Sequence, residues 1–119
     1  MRKTKLRERV EKMRQKRLKV IYLTEELEKF ACKGSFNLSC AKSFEIASNY
    51  YMKISEIKKE CDQFKQLLNE NLTDDELNFL DYMGVYSLKE TCSILKISKR
   101  KYYRIIEKIE KEMSGKWQD

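Results

Sequence analysis

A basic stretch near the C-terminal end of the chain has the spacing of one exposed helix face. Its apolar residues recur with a period near 3.6, at Tyr102, Ile105, Ile106 and Ile109. The opposite side carries Lys99, Arg100, Tyr103 and Arg104. No acidic residue lies between Lys99 and Glu107. Because arginine and lysine on an exposed helix suit the base edges and phosphates of the DNA major groove, we predict a DNA-reading helix here.

A shorter helix is predicted directly before this one, from about Leu88 to Leu95. Its apolar face consists of Leu88, Cys92 and Leu95. A tight connection follows at Lys96 and Ile97, and Ser98 then offers an N-cap. This order is typical of a helix-turn-helix, in which Ile97 fills the gap between the helices. Lys96 stands where glycine is usual, which predicts a positive φ. The alternative is an ordinary helical hairpin with a solvated lysine face.

A third short helix is predicted before these two. Thr73 and Glu76 have the spacing of a capping box, and three acidic residues in the first turn complement the helix dipole. Gly84 is expected to end this helix as a left-handed cap. The three helices together predict a DNA-binding unit over residues 72–113, followed by a flexible tail over residues 114–119.

Residues 1–71 are predicted to form a helical arm or oligomerisation region. A first helical pattern covers residues 4–30, with apolar positions at Leu6, Val10, Met13, Val20 and Leu27. Its first two thirds are basic and polar nearly all round, which favours a projecting arm. This arm is expected to contact DNA phosphates or an acidic protein, or to remain a solvated helix.

A second long helix is predicted from Phe44 to about Asn69, after a connector over residues 31–43. Ser39 or Ser43 is expected to cap it. Its seam has strict three- and four-residue spacing, at Ala47, Tyr50, Ile54, Ile57, Cys61, Phe64 and Leu68. The partner of the seam is either the first helix, folded back as a hairpin, or the same helix in a second subunit. We favour a coiled-coil dimer, because Arg17 and Thr24 interrupt the apolar stripe of the first helix.

Composition predicts an all-α protein whose partner is a polyanion. The 119 residues include no proline and only three glycines, and 38% of them are charged. The net charge is +7 and is concentrated at the two ends, with ten basic residues against two acidic ones in residues 1–19. This asymmetry favours nucleic acid over an anionic membrane.

The cysteine and histidine content predicts no metal site and no cofactor. Cys32, Cys40, Cys61 and Cys92 fall at no metal-ligand spacing, and the chain has no histidine. The sequence also offers no phosphate-binding glycine loop and no nucleophile paired with a base, so we do not expect an enzyme. The apolar run over residues 20–23 is too short for a signal core or a membrane span, which predicts a reduced, cytoplasmic protein.

The segment from Leu72 to Arg100 resembles region 4 of bacterial sigma factors. In that family a helix that opens with L-T-x-x-E precedes a helix-turn-helix of the form S-x-K-E-I-A-x-x-L-G-I-S. The first motif matches Leu72, Thr73 and Glu76, and the second matches Ser87 to Ser98. Thr91-Cys92 replaces Ile-Ala, and Lys96 replaces the glycine. The resemblance covers about a third of the chain and implies a three-helix sigma region 4-like unit.

The order of the predicted elements resembles the small phage late-gene transcriptional regulators of Gram-positive hosts, the ArpU/RinA-like group. The resemblance implies a DNA-binding activator at a phage or mobile-element promoter, in the cytoplasm of a bacterial host. It also implies DNA-binding residues, of which Lys99, Arg100 and Arg104 face bases while Ser98, Lys101 and Tyr103 lie near the backbone. Arg100 replaces the glutamate typical of region 4, so the promoter sequence read by sigma factors is not implied. Nothing resembles sigma region 2, which melts DNA, so the protein is not expected to direct transcription alone.

Two other functions remain open from the sequence. One is a DNA-packaging recognition subunit of the small-terminase kind, although its DNA-binding unit is usually N-terminal. The other is a sigma-4-like protein-interaction module that binds RNA polymerase or another regulator, for which the acidic surface over residues 74–90 is suitable. The expected partners are therefore double-stranded DNA, host RNA polymerase and a second copy of the chain, with no membrane.

Overall fold

The structure is a computed structural model that describes residues 4–34 and 39–117. All regular structure within these ranges is helical, which confirms the all-α prediction. The five α-helices are α1 (Lys5–Lys29), α2 (Cys40–Asn71), α3 (Asp74–Val85), α4 (Leu88–Leu95) and α5 (Lys99–Met113). A single π-helical turn, Phe30–Gly34, follows α1. None of the described helices combines the length and the apolar content that a membrane crossing requires.

A serine or threonine hydroxyl caps the N-terminus of every one of these helices. Thr4 caps α1 and Ser39 caps α2, because each hydroxyl accepts a hydrogen bond from the backbone N–H three residues later. Thr73, Ser87 and Ser98 do the same for α3, α4 and α5. At α3 the predicted capping box is confirmed, since the Glu76 carboxylate also accepts from the Thr73 backbone at 3.0 Å.

Helix α2 begins earlier than the sequence predicts. The prediction started it at Phe44, whereas the helix begins at Cys40 with Ser39 as its cap. Ser43 donates its backbone N–H to the Ser39 carbonyl inside the first turn, so it is not the cap. Residues 40–43, which the sequence analysis assigned to the connector, adopt the helix once Ser39 caps it. The turn-forming Ser35 and Asn37 of the predicted connector lie outside the described residues.

The chain divides into two compact units. One consists of Met1–Lys12 and Phe64–Asp119, and the other is Met13–Gln63. The division therefore falls inside α1 and inside α2, whereas the sequence placed its boundary at residue 72. The first turns of α1 and the last turns of α2 belong to the same unit as α3, α4 and α5. We call the first the C-terminal unit and the second the middle unit.

The middle unit contains most of α1 and the larger part of the α2 seam. Leu23 of α1 and Ile54 of α2 are buried, and Lys16 forms an ion pair with Glu60. An open cleft of about 650 Å³ is lined by Leu27 of α1, Phe30 of the π-helical turn, and Phe44, Tyr51 and Ile54 of α2, among others. Both predicted partners of the seam, α1 of the same chain and a second subunit, stay predictions.

The core of the C-terminal unit includes residues from both ends of the chain. Its buried apolar residues are Leu6, Val10, Leu68, Leu72, Phe79, Leu80, Met83, Tyr102, Ile106, Ile109 and Met113. Leu6 and Val10, which the sequence assigned to a projecting arm, are only 1% and 6% exposed. Leu6 and Val10 are two of the few apolar residues in this basic stretch. Burial of each side chain stabilises the unit by roughly 1.5–3 kcal/mol. The first turns of α1 therefore brace α3, α4 and α5.

Gly84 does not act as the predicted left-handed cap. Helix α3 continues through it to Val85, and Tyr86 is the C-cap with an extended backbone at φ −108°. Among the described residues, only Lys96 and Gly115 have a positive φ. Gly84 instead allows α1 to approach, because a Cβ atom there would lie 2.8 Å from Cγ1 of Val10. The predicted cap at Gly84 was wrong, because the contact that requires glycine comes from α1, which is far away in the sequence.

We expect Gly84→Ala to destabilise the protein by about 1 kcal/mol. Alanine gains about 1 kcal/mol of helix propensity, but the added methyl overpacks against Val10, which typically costs about 1–3 kcal/mol. In a Val10→Ala background the space is free, so the same change should stabilise by about 1 kcal/mol. Urea unfolding of the four proteins in this cycle measures the coupling. A Gly84→Ala effect of the same sign in both backgrounds would contradict the close approach.

Candidate nucleic-acid interface

The side chains predicted to bind DNA lie on the first two turns of α5. Lys99, Arg100, Lys101 and Arg104 are all exposed, and we call these four residues the basic face. The other side of α5 is buried, through Tyr102, Ile106, Ile109 and Met113. Arg100 and Arg104 are one turn apart, so their side chains point to the same side, away from the core.

No described residue outside the basic face neutralises its charge. None of its four cations has a hydrogen bond or an ion pair within the part of the chain that the structure describes. Helix α5 also has no acidic residue in its first turn. The positive end of the helix dipole adds to these charges, which makes this end of α5 attractive to anions such as phosphate.

Two of the predicted DNA-binding residues have structural contacts. The Ser98 hydroxyl accepts a hydrogen bond from the Lys101 backbone at 3.1 Å, which confirms the predicted cap. Tyr103 is half-buried and packs edge-on against Tyr102, with ring centroids 5.5 Å apart. Ser98 and Tyr103 therefore help to fix the start of α5, next to the basic face.

The connection between α4 and α5 has the strain that the sequence predicts. Lys96 adopts a left-handed conformation with φ 56° and ψ 46°. This conformation lets the Ile97 backbone N–H donate to the Cys92 carbonyl at 3.0 Å, and Ile97 packs against the core. Thr91 of α4 is completely buried. Sequence reasoning assigned the inward position to Cys92, which is only half-buried, because β-branched threonine gives no apolar signal.

Arg7 of α1 positions α5 through Tyr102. The Arg7 guanidinium donates to the Tyr102 hydroxyl at 3.0 Å and to the Tyr86 carbonyl at 3.1 Å. Burial raises the pKa of Tyr102, and the nearby positive charge of Arg7 partly offsets this effect. Tyr102 also packs edge-on against Phe79 of α3, with centroids 5.3 Å apart. No local pattern predicts this role, since a lone arginine in a basic stretch resembles its neighbours.

The predicted flexible tail contributes to the C-terminal unit. The Trp117 ring stacks on Phe64, with centroids 5.9 Å apart and planes 16° from parallel. The Arg9 guanidinium lies 4.4 Å from the centre of the same ring, and Lys116 donates to the Asn71 side chain at 2.7 Å. Trp117 is therefore docked, while Gln118 and Asp119 lie outside the described residues. Arg7 and Arg9, expected to contact phosphate or an acidic protein, take part in contacts within the unit.

The carboxyl groups of Glu76 and Glu112 approach each other between α3 and α5. One oxygen of each is buried and has no hydrogen-bond partner among the described residues. The neighbouring Glu76 carboxyl raises the pKa of Glu112, as does burial. At Glu76, burial acts to raise the pKa, but the hydrogen bonds from Thr73 and the interaction with Glu112 outweigh it and lower the pKa. Two carboxyls that share a site cannot both ionise freely, so the pair keeps a proton to a higher pH than a lone glutamate would.

No protein-family model, curated protein or solved structure matches the chain. The geometry and charge of the basic face are therefore the observations that bear on function.

We expect Lys96→Gly to stabilise the protein by about 0.5–1 kcal/mol. A left-handed conformation costs an ordinary residue roughly 1–2 kcal/mol, and glycine avoids this cost at the expense of some chain entropy. Lys89→Gly is the matched control, because Lys89 is exposed inside α4, where glycine should destabilise by about 1 kcal/mol. Urea unfolding should give opposite signs. Destabilisation by both changes would contradict the strain at Lys96.

We expect Glu112→Gln to change how stability depends on pH. A carboxyl whose pKa is raised by folding stabilises the fold below its ordinary value of 4.5, and this contribution is lost as pH rises through the raised pKa. Glutamine donates to Glu76 at every pH, so the variant should be more stable than the wild type at pH 7 and should lack that decline. Urea midpoints from pH 4 to pH 7 test this. Parallel curves for the two proteins would contradict the raised pKa of Glu112.

Proposed function

We propose that the chain is a sequence-specific, DNA-binding regulator of transcription. In this proposal α4 and α5 form a helix-turn-helix of the sigma region 4 kind, and α5 enters the major groove of double-stranded DNA. The observation that carries the proposal is the basic face, whose cations are exposed and lack partners in the described chain. A buried side anchored on α3 and α1 supports α5 from behind.

The roles of individual residues follow from their places on α5. Arg100 and Arg104 are exposed one turn apart, so they are suited to read base edges, and Lys99 precedes them. In this proposal, Lys101 contacts a phosphate of the DNA backbone. Ser98 and Tyr103 lie near the DNA backbone in this proposal, but the cap and the half-buried ring give them structural duties as well.

The biological setting of the proposal comes from the sequence resemblance. It suggests activation of late genes of a phage or mobile element, together with the RNA polymerase of a bacterial host. The basic residues of α1 add affinity without sequence preference, but only those free of structural contacts are available for this. Lys12, Arg14, Arg17 and Lys19 are exposed, whereas Arg7 binds Tyr102. Each phosphate contact would contribute about 0.9 to the salt slope.

We expect Arg100→Ala and Arg104→Ala to reduce specific DNA binding. The purified chain is first used to select its preferred DNA from a random pool, and binding is then measured on selected and random duplexes. A good bidentate base contact is worth about 1–3 kcal/mol, so each variant should bind the selected duplex roughly 5- to 150-fold more weakly. Binding to random DNA should change much less, and preference should relax at one or two base positions.

Lys111→Ala is the matched control for this experiment. Lys111 is also exposed on α5, but it lies in the last turn, away from the basic face. Its replacement should leave the affinity for the selected duplex nearly unchanged. Equal losses on selected and random DNA would reduce Arg100 and Arg104 to phosphate contacts. Failure of the wild-type chain to enrich any sequence would contradict a sequence-specific regulator.

A further inference from the structure

One side of α1 in the middle unit exposes large apolar side chains. Leu18 is 45% exposed, Ile21 56% and Tyr22 59%. Leu18 and Ile21 point away from the side of α1 that carries the buried Leu23, since each residue advances about 100° around the helix. These exposed apolar residues lie within two turns of one helix. On a chain with 38% charged residues, such a cluster is typical of an interaction surface.

Charged residues bracket this apolar surface in a defined order. Arg14, Leu18, Ile21 and Glu25 follow one another at intervals of four, three and four residues, and they form one stripe along α1. We call these four residues the α1 stripe. Read from its N-terminal end, the stripe is positive, apolar, apolar and negative. Both Arg14 and Glu25 are exposed, and neither has an ion-pair partner in the described chain.

The α1 stripe is complementary to itself when two copies run antiparallel. In that orientation Leu18 of one copy meets Ile21 of the other, and Arg14 meets Glu25. Two-fold symmetry then forms each of these pairs twice. A parallel arrangement would instead place Arg14 against Arg14 and Glu25 against Glu25, where like charges repel. The order of charges therefore selects both the partner and its direction.

We propose that two copies of the chain associate through their α1 stripes, antiparallel and around a two-fold axis. This surface differs from the α2 seam, whose Ile54 is already buried within the chain. Stable interfaces bury roughly 1,200–2,000 Å² in total, and a single helix face provides less than that. The association is therefore weak and reversible, and salt weakens it further because the ion pairs at its ends are exposed.

The test is sedimentation equilibrium of the full-length chain without DNA, so its outcome is independent of the proposed DNA binding. The wild type is expected to dimerise reversibly at low salt, with concentrations taken up to about 0.5 mM to reach weak affinities. Arg14→Glu and Glu25→Arg should each raise the dissociation constant roughly tenfold or more, because symmetry turns two ion pairs into two like-charge contacts. Circular dichroism checks that each variant keeps its helix content.

Two combinations of these variants then distinguish an antiparallel dimer from a parallel one. The double variant Arg14→Glu/Glu25→Arg should dimerise like the wild type, since the charges are exchanged but still complementary. An equimolar mixture of the two single variants should form heterodimers, because one chain presents two acidic ends and the other two basic ends. In a parallel dimer neither single substitution would remove an attraction, so the single variants would not weaken it.

Lys19→Glu is the matched control, with the same change of charge on an exposed position of α1 outside the stripe. It should leave the dissociation constant nearly unchanged. The proposal is overturned if the wild type stays monomeric throughout this concentration range. It is equally overturned if the dimer is insensitive to both single substitutions, or if the double variant fails to restore it, since the copies would then meet through another surface.

Discussion

The hydrogen bond from Arg7 to the Tyr102 hydroxyl, 3.0 Å long, joins the two ends of the chain and fixes the helix on which the functional argument depends. Tyr102 is 2% exposed, and a buried hydroxyl without a partner would cost roughly 1–3 kcal/mol. Arg7 provides that partner, and Leu6 and Val10 on the same turns of α1 enter the core. The close approach of Val10 requires glycine at position 84. The start of α1 is thus a structural part of the C-terminal unit.

The sequence predicted those features that depend on near neighbours. The capping box at Thr73, the cap at Ser98 and the positive φ of Lys96 each involve residues within one turn, so the local pattern contains the necessary information. Gly84 and Arg7 could not be interpreted this way, because their contacts come from residues far away in the sequence. The basic face was predictable as a pattern. Its lack of partners was not, since any of the 19 acidic residues could have folded against it.

The basic residues of the chain have two different uses. Those such as Arg7, Arg9 and Lys16 bind an aromatic ring, a hydroxyl or a carboxylate within their own unit, and they stabilise the fold. Those of the basic face meet no such group within residues 4–34 and 39–117, and they gather at the positive end of the α5 dipole, where an anion would relieve their mutual repulsion. An extended, regularly spaced polyanion such as duplex DNA fits this arrangement, and α5 held rigidly by Tyr102 presents its cations at low entropic cost.

Chemical modification of lysines in the presence and absence of duplex DNA tests the role of the basic face most directly. Lys99 and Lys101 belong to that face, while Lys53 and Lys111 are also exposed and lie outside it. Mass spectrometry of the modified chain reports each lysine separately, at a DNA concentration where the complex is formed. We predict that DNA protects Lys99 and Lys101 and leaves Lys53 and Lys111 reactive. Unchanged reactivity of Lys99 and Lys101 in the complex would contradict the role of the basic face.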